Sequence, residues 1–250
     1  MQCFKDFELI IADDGSSSST KELIKKISPR LFYSINHVWH PDNGFQKTII
    51  LNKALKASKG DYIVFTDGDC IPRADFLYNH FKHKVKGCFL SGGYFKLNIY
   101  LSNLIKDEDI KSQSCFSIKW LLKRGLPFSY KNLKISSSEN TSIFLNSITI
   151  TKPTWNGHNS SGWRSDIFSI NGFDERMKYG GEDREMGERL INIGVKGKQI
   201  RYSAICLHLD HSRGYVDESS WKLNNKIRKS TKINKNIWTD FGIIKNEIKE

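Results

Sequence analysis

The amino-acid sequence predicts an α/β fold built on a mixed, mainly parallel sheet flanked by helices. Two observations carry this expectation. Short apolar runs of strand length alternate with amphipathic runs of helix length through residue 66, which is the pattern of βα units around a largely parallel sheet. Acidic and small polar residues cluster just after those apolar runs, at Asp13-Asp14-Gly15-Ser16 and Asp67-Gly68-Asp69. Open α/β sheets bind ligands there, beyond the carboxyl ends of their strands.

In chain order, residues 7–12 read as a strand, 20–27 as a helix, 33–39 as a strand, 45–57 as a helix and 62–66 as a buried strand. Periodicity fails over residues 95–154, where Ser, Asn and Lys mix with isolated aromatics such as Trp120 and Tyr130. That segment reads as a variable, partly helical insert forming a substrate wall. Residues 162–170 lead to a turn at Asn171-Gly172, and a helix follows Gly180-Gly181. Beyond residue 216 the cations Lys222, Lys226, Arg228, Lys229, Lys232 and Lys235 mark a basic helical tail. The division expected is one domain over 1–215 and that tail over 216–250.

Composition narrows the function classes. A formal net charge of +12 implies an anionic partner: nucleic acid, a phosphorylated small molecule or an acidic membrane surface. Five scattered cysteines without a Cys-x-x-Cys pair indicate neither a disulfide framework nor a zinc knuckle, and a reducing cytoplasm is the simplest setting. No run of about 18 apolar residues offers a membrane span, and no charged-then-apolar leader opens the sequence.

Two carboxylates flanking a glycine, Asp67 and Asp69, can supply oxygen ligands to a hard divalent cation while the glycine admits a diphosphate. The plain alternative is an Asp-Gly turn. The Asp13-Asp14 pair has the same ambiguity: one acid can cap the helix after Ser16, leaving the other to accept from a base or ribose.

At about 100° per residue, Asp183, Met186, Gly187, Leu190 and Gly194 share one helical face. Arg184 with Glu188 and Glu185 with Arg189 are then expected as weak pairs on a solvated surface. Asp183 heads the apolar stripe, where the helix N-terminus favours a charged acid. Glu182 lies at its edge, suited to capping or to a substrate hydroxyl; an acidic first turn is also ordinary in helices. The preceding glycines are read as room for a ligand. In His208-Leu209-Asp210-His211-Ser212-Arg213, two imidazoles beside a strand end suit an ion such as Mn²⁺, and Arg213 suits a phosphate. A lone histidine is more often structural, and His158 is a weaker case.

In this order the segments resemble the family 2 glycosyltransferases with the GT-A fold and, more locally, the catalytic domain of animal β-1,4-galactosyltransferases. The matching pieces are Phe7-Glu8-Leu9-Ile10-Ile11-Ala12-Asp13-Asp14-Gly15-Ser16, Gly44-Phe45-Gln46-Lys47 with Leu51-Asn52, Asp61-Tyr62-Ile63-Val64-Phe65-Thr66-Asp67-Gly68-Asp69, Ile170-Asn171-Gly172-Phe173, Gly180-Gly181-Glu182-Asp183 and His211-Ser212-Arg213. The resemblance implies that Asp13 and Asp14 read the nucleotide base and ribose, that Phe45 and Lys47 lie near the nucleotide, and that Asp67 belongs to the D-x-D. It further implies that Asp69 and His211 hold Mn²⁺ or Mg²⁺, that Asp183 is the catalytic base and that Glu182 assists in acceptor binding.

The function so implied is inverting transfer from a nucleotide-diphosphate sugar, a UDP-sugar being favoured, to a hydroxyl of a glycan or lipid-linked glycan. The expected setting is surface polysaccharide biosynthesis, in the cytoplasm at the inner face of the membrane, with the basic tail against anionic lipid and no nucleic acid. Members of the family usually begin with a further strand and helix, so the sequence reads as N-terminally short. Competing readings are a basic nucleic-acid-binding protein and an inactive family member that only binds a sugar nucleotide.

Overall fold

The computed structural model describes residues 1–211 and 218–245. In chain order its elements are β1 (Leu9–Asp14), α1 (Ser18–Ile27), β2 (Ile35–His40), α2 (Lys47–Ala57), β3 (Tyr62–Phe65), β4 (Cys70–Pro72), α3 (Phe76–His83), β5 (Cys88–Ser91), β6 (Gly93–Lys96), α4 (Ile99–Leu104) and α5 (Asp107–Ser112). There follow α6 (Ile118–Lys123), α7 (Leu133–Ser136), α8 (Glu139–Ile148), β7 (Ser160–Trp163), α9 (Arg164–Ser169), α10 (Glu182–Asn192), β8 (Lys196–Gln199), β9 (Ile205–His208) and α11 (Glu218–Ile233). Among the described residues no helix is long and apolar enough to cross a membrane.

The chain divides into two compact units. One takes Met1–Phe4, Ile63–Gly162 and Lys196–Arg213; the other takes Lys5–Tyr62, Trp163–Val195 and Gly214–Glu250.

In the first unit a mixed sheet runs in the order β3-β7-β5-β8 and a second in the order β4-β9-β6. β5 pairs with β8 in parallel and with β7 antiparallel. β9 pairs with β6 in parallel and with β4 antiparallel, which sets Cys70 opposite His208. The segment 95–154 is largely helical and part of the core: its Phe95, Leu97, Leu101, Cys115, Phe116, Leu121, Leu126 and Ile135 join Ile71, Ile205 and Leu207 in one buried cluster. Burying such side chains stabilises by roughly 1.5–3 kcal/mol each, so these short helices are part of this unit's core.

In the second unit β1 and β2 pair in parallel from Leu9 opposite Ile35 to Asp14 opposite His40. The apolar body of β1 therefore ends with both acids at the strand terminus. Asn52 on α2 ties the unit together: its Nδ2 donates to Phe173 O at 2.9 Å and its Oδ1 accepts from Phe173 N at 2.9 Å. A side-chain amide here reproduces one strand-like backbone pairing. Next to it, Asn171 donates through Nδ2 to Thr239 O and Ile244 O and accepts from Ile244 N. The Leu51-Asn52 and Ile170-Asn171-Gly172-Phe173 segments thus build scaffold.

α11 packs against α10 rather than standing apart as a tail, burying Ser220, Asn224, Ile227 and Thr231.

Candidate active site

The first unit holds the Asp67-Gly68-Asp69 segment. Cys70 N donates to Asp67 O at 3.1 Å, so the segment is a tight turn between β3 and β4. A turn and a ligand site are compatible, because the backbone closes the turn while the Asp69 carboxylate is left to the ladder that follows. Leu209 N donates to Asp69 O at 2.9 Å, which extends the β4–β9 pairing and brings two distant histidines alongside. His211 Nε2 lies 2.9 Å and His208 Nε2 3.5 Å from the same Asp69 Oδ2. The other oxygen, Oδ1, accepts from the Cys70 thiol at 3.5 Å.

A carboxylate oxygen facing imidazole nitrogens is a donor set that fits Mn²⁺ and its neighbours in the first transition row. One ligand atom from each of Asp69, Cys70 and His208 falls within a 4.8 Å group. Cys70 is a poor ligand there: its hydrogen bond with Cys206, then burial, push its thiol well above the usual range, and only the thiolate binds metal. Asp210, which strand alternation places with His208, instead pairs with Lys96 at 3.2 Å. Ser212 and Arg213 lie outside the described residues.

The second unit holds the remaining candidates. Asp13 is buried; its Oδ1 accepts from Ser16 N at 2.8 Å and its Oδ2 from His37 Nε2 at 2.7 Å. Burial alone would raise its pKa, but the hydrogen bonds from Ser16 and His37 outweigh that and hold it below the usual carboxylate range. Asp14 accepts from His40 Nε2 at 2.6 Å and from Gln46 N at 2.8 Å. Lys53 donates to His40 Nδ1 at 3.1 Å, which fixes the proton of a neutral His40 on Nε2, toward Asp14. Neither acid caps α1, whose N-cap is Ser17. The Asp13 side chain is 3% exposed and that of Asp14 25%, so Asp14 is the more accessible acid and Asp13 the one that shapes the turn.

Lys47, the first residue of α2, stands 3.9 Å from Glu182 Oε1 and 3.8 Å from Asp183 Oδ2. Phe45 meets the ring of Tyr179 edge-on at 5.8 Å. Three residues that the sequence places near the chemistry, Lys47, Glu182 and Asp183, are therefore neighbours.

Burial within α10 differs from the helical-phase expectation. Glu182, Glu185, Met186, Gly187, Arg189 and Leu190 are buried, whereas the Asp183 side chain is 19% exposed. Glu182 accepts from Gly180 N at 2.8 Å. Burial, then the charge of Asp183, raise its pKa despite Lys47. The pair Glu185–Arg189 is not a solvated one. Arg189 Nη2 lies 2.8 Å from Glu185 Oε2, both side chains are 1% exposed, and the guanidinium also donates to Ile170 O and Gly172 O. Thr231 of α11 donates to Glu185 Oε1 at 2.9 Å. Glu188 pairs with Arg228 and Lys232 of α11 rather than with Arg184.

The glycines ahead of α10 answer to α11 as well. Gly180 and Gly181 have φ of 112° and 90°, and a Cβ at either would meet Trp221 at 2.8 Å or Arg228 at 2.9 Å. They admit a helix, where the sequence suggested a ligand. Buried Asn224 completes the clamp, its Nδ2 donating to Lys178 O, Tyr179 O and Gly180 O at 2.9, 3.2 and 3.0 Å. Asn224→Ala is expected to cost about 1–3 kcal/mol through the lost hydrogen bonds, read as a fall in the urea midpoint. An unchanged midpoint would show that the loop holds itself.

Residues 1–96 match glycosyl transferase family 2, and residues 145–212 match the N-terminal domain of galactosyltransferase. The hyaluronan synthase of Pasteurella multocida is 25% identical over 94% of this chain, and the chondroitin synthase of strain Pm70 of that species is 24% identical over 90%. The chain spans only about a quarter of their length, 24% and 23% respectively.

Among solved structures, a mannosyltransferase of Pyrobaculum calidifontis, in complex with GDP-Man and Mn²⁺, aligns with a TM-score of 0.54 at 18% identity. That alignment covers 86% of this chain and 51% of that one. GalNAc-T7 with UDP, GalNAc and Mn²⁺ aligns at 0.55 with 14% identity, covering 89% and 41%. These matches fall in chain order, to glycosyl transferase family 2 over the first 96 residues and to the N-terminal domain of galactosyltransferase over residues 145–212, and the solved structures share the GT-A fold.

Proposed function

We propose that this chain is an inverting, metal-dependent transferase that moves a sugar from a nucleoside-diphosphate sugar, a UDP-sugar being favoured, to a hydroxyl of a glycan or lipid-linked glycan in surface polysaccharide synthesis. The observation that carries the reading is Asp69 facing two imidazole nitrogens within 3.5 Å, at the D-x-D and histidine positions of the matched segments. The relatives named for hyaluronan and chondroitin synthesis support a polysaccharide product.

Asp14, beside the backbone amide of Gln46, reads the nucleoside, with Asp13 fixing the turn and Phe45 and Lys47 near the nucleotide. Asp183 takes the proton from the acceptor hydroxyl. The freed oxygen attacks the anomeric carbon from the face opposite the diphosphate, and the sugar–phosphate C–O bond breaks with its electrons leaving on the nucleoside diphosphate. A divalent cation on Asp69 and His211, with Asp67 alongside, supplies neutralisation of that departing charge when bound. Glu182, held by Gly180 N, keeps the loop in shape and lies next to the acceptor. The basic surface favours an anionic membrane carrying a lipid-linked acceptor.

Thermal stabilisation by a panel of nucleotide sugars, each with and without Mn²⁺ or Mg²⁺, tests the proposal. One donor is expected to stabilise strongly and only with metal. Stabilisation by DNA without metal, and by no nucleotide sugar, would sink it.

A further inference from the structure

We infer that the outward face of α8, with the turn ahead of α7, is a docking surface for an anionic phospholipid membrane. The inference deepens the proposed function, on which it rests only for the membrane contact named there, by assigning that contact to α7 and α8 in place of the basic helix α11.

Three observations within the first unit carry it. α8 is amphipathic the wrong way round. Ser142 is buried, and Asn146, one turn on, accepts from Tyr202 N at 3.0 Å and donates to Ser203 Oγ at 2.8 Å, so the polar stripe faces the protein. Ile143, Phe144 and Ile148 turn away from that stripe and are exposed, as is Ile150, at 98%, just past the helix. A surface helix ordinarily turns its apolar stripe to the core. Single exposed apolar side chains are commonplace, but a contiguous stripe of them marks an interaction site.

Secondly, the inversion recurs ahead of α7. Asn132 is buried, its Nδ2 donating to Pro127 O at 3.3 Å, whereas Phe128, Tyr130 and Leu133 are exposed, Phe128 at 90%. A tyrosine, with its apolar ring and polar tip, suits the zone where hydrocarbon meets headgroups.

Thirdly, positive charge surrounds these side chains. Residues 118–152 hold Lys119, Lys123, Arg124, Lys131, Lys134 and Lys152 against one acid, Glu139, which already pairs with Lys82 of α3. Lys119, Lys123, Lys131 and Lys152 are exposed and make no ion pair among the described residues. That charge decides what covers the face. A second copy docked through the same face would set these cations against their own equivalents. A bilayer with anionic lipid meets both features: the acyl boundary takes the apolar side chains to a depth of about 5–10 Å, and headgroup phosphates meet the ammoniums, whose stems lie along apolar surface.

The test is flotation of the full chain with vesicles of phosphatidylcholine alone and of phosphatidylcholine mixed with phosphatidylglycerol. Wild type is expected to float with the mixed vesicles and far less with the neutral ones, and added salt is expected to release it. Phe144→Ser combined with Ile148→Ser is expected to weaken partition onto mixed vesicles by on the order of tenfold or more. Lys131→Gln combined with Lys152→Gln is expected to weaken it by about tenfold. Because these side chains are exposed, the thermal unfolding midpoint should stay at the wild-type value in both variants. Hydrogen exchange of the wild type gives a readout free of substitution: mixed vesicles are expected to slow exchange over residues 127–150 and to leave α11 unchanged. Flotation indifferent to both pairs of substitutions, or slowing confined to α11, overturns the inference. Concentration-dependent dimerisation that is lost in the Phe144→Ser, Ile148→Ser variant, with no vesicle binding, also overturns it and gives the face to a second copy. Each of these outcomes leaves the transferase reading standing, since the nucleotide-sugar panel decides that separately.

Discussion

Asp183→Asn is expected to lose sugar transfer by about 10²–10⁴-fold while nucleotide binding stays within about twofold of wild type. The amide keeps the carboxylate's shape at the start of α10, and Lys47 remains as a neighbour at 3.8 Å in the parent chain, so the loop is undisturbed. What is removed is the capacity to accept a proton from the acceptor hydroxyl. Single-turnover transfer paired with nucleotide titration separates the two effects. Undiminished transfer by the variant would remove Asp183 from the chemistry.

Glu182→Gln is the informative control, because the adjacent acid differs physically. Glu182 is 5% exposed, and burial, then the charge of Asp183, raise its pKa. A carboxyl whose folded-state pKa is raised adds stability below its unfolded pKa, and that contribution is lost as pH rises through the folded value. Glu182→Gln is therefore expected to gain stability relative to wild type at neutral pH and to converge with it in acid. Its amide oxygen can still accept from Gly180 N, so transfer should fall less than in Asp183→Asn.

The second large effect is on stability. Arg189→Ala is expected to cost about 3–5 kcal/mol, because it strands the buried Glu185 carboxylate without its partner. It also removes the donors to Ile170 O and Gly172 O, leaving buried carbonyls short of hydrogen bonds. For a chain of this length that corresponds to a fall of roughly 10 °C in the unfolding midpoint. Arg189→Lys should recover little of it, since a single ammonium cannot reproduce the planar fork. A loss below about 1 kcal/mol in urea unfolding would mean the pair is solvated after all.

Why the sequence placed that pair on the surface is instructive. Helical phase counts apolar residues, and by that count Met186 and Leu190 define the inner face with Asp183 at its head. Glu185 and Arg189 are buried because each neutralises the other and because Ile170 and Gly172 offer carbonyls to the guanidinium, neither of which is visible in periodicity. The same limit hid α11. Its buried stripe of Ser220, Asn224, Ile227 and Thr231 has helical spacing, but three of the four are polar, so the segment read as a basic tail.

Other features were legible because chain-local chemistry fixes them. The acids at the end of β1 and just after β3 follow from where strands of alternating β and α elements end. The start of α10 at Glu182 follows from Gly180-Gly181. His37, His40 and Lys53 were not legible as partners of Asp13 and Asp14, since only the parallel register of β1 on β2 brings His37 and His40 into reach. His208 was legible as one of two histidines at a strand end, but its approach to Asp69 depends on the antiparallel pairing of β4 with β9, 138 or so residues away in the chain.

The central claim, that a metal-assisted nucleotide-sugar site is built on Asp69, is tested most directly by titrating UDP into wild type and Asp69→Ala with and without Mn²⁺. Saturable binding by the wild type only with Mn²⁺, abolished in Asp69→Ala, is the predicted result. Equal UDP affinity in both proteins, or UDP binding indifferent to Mn²⁺, would contradict it.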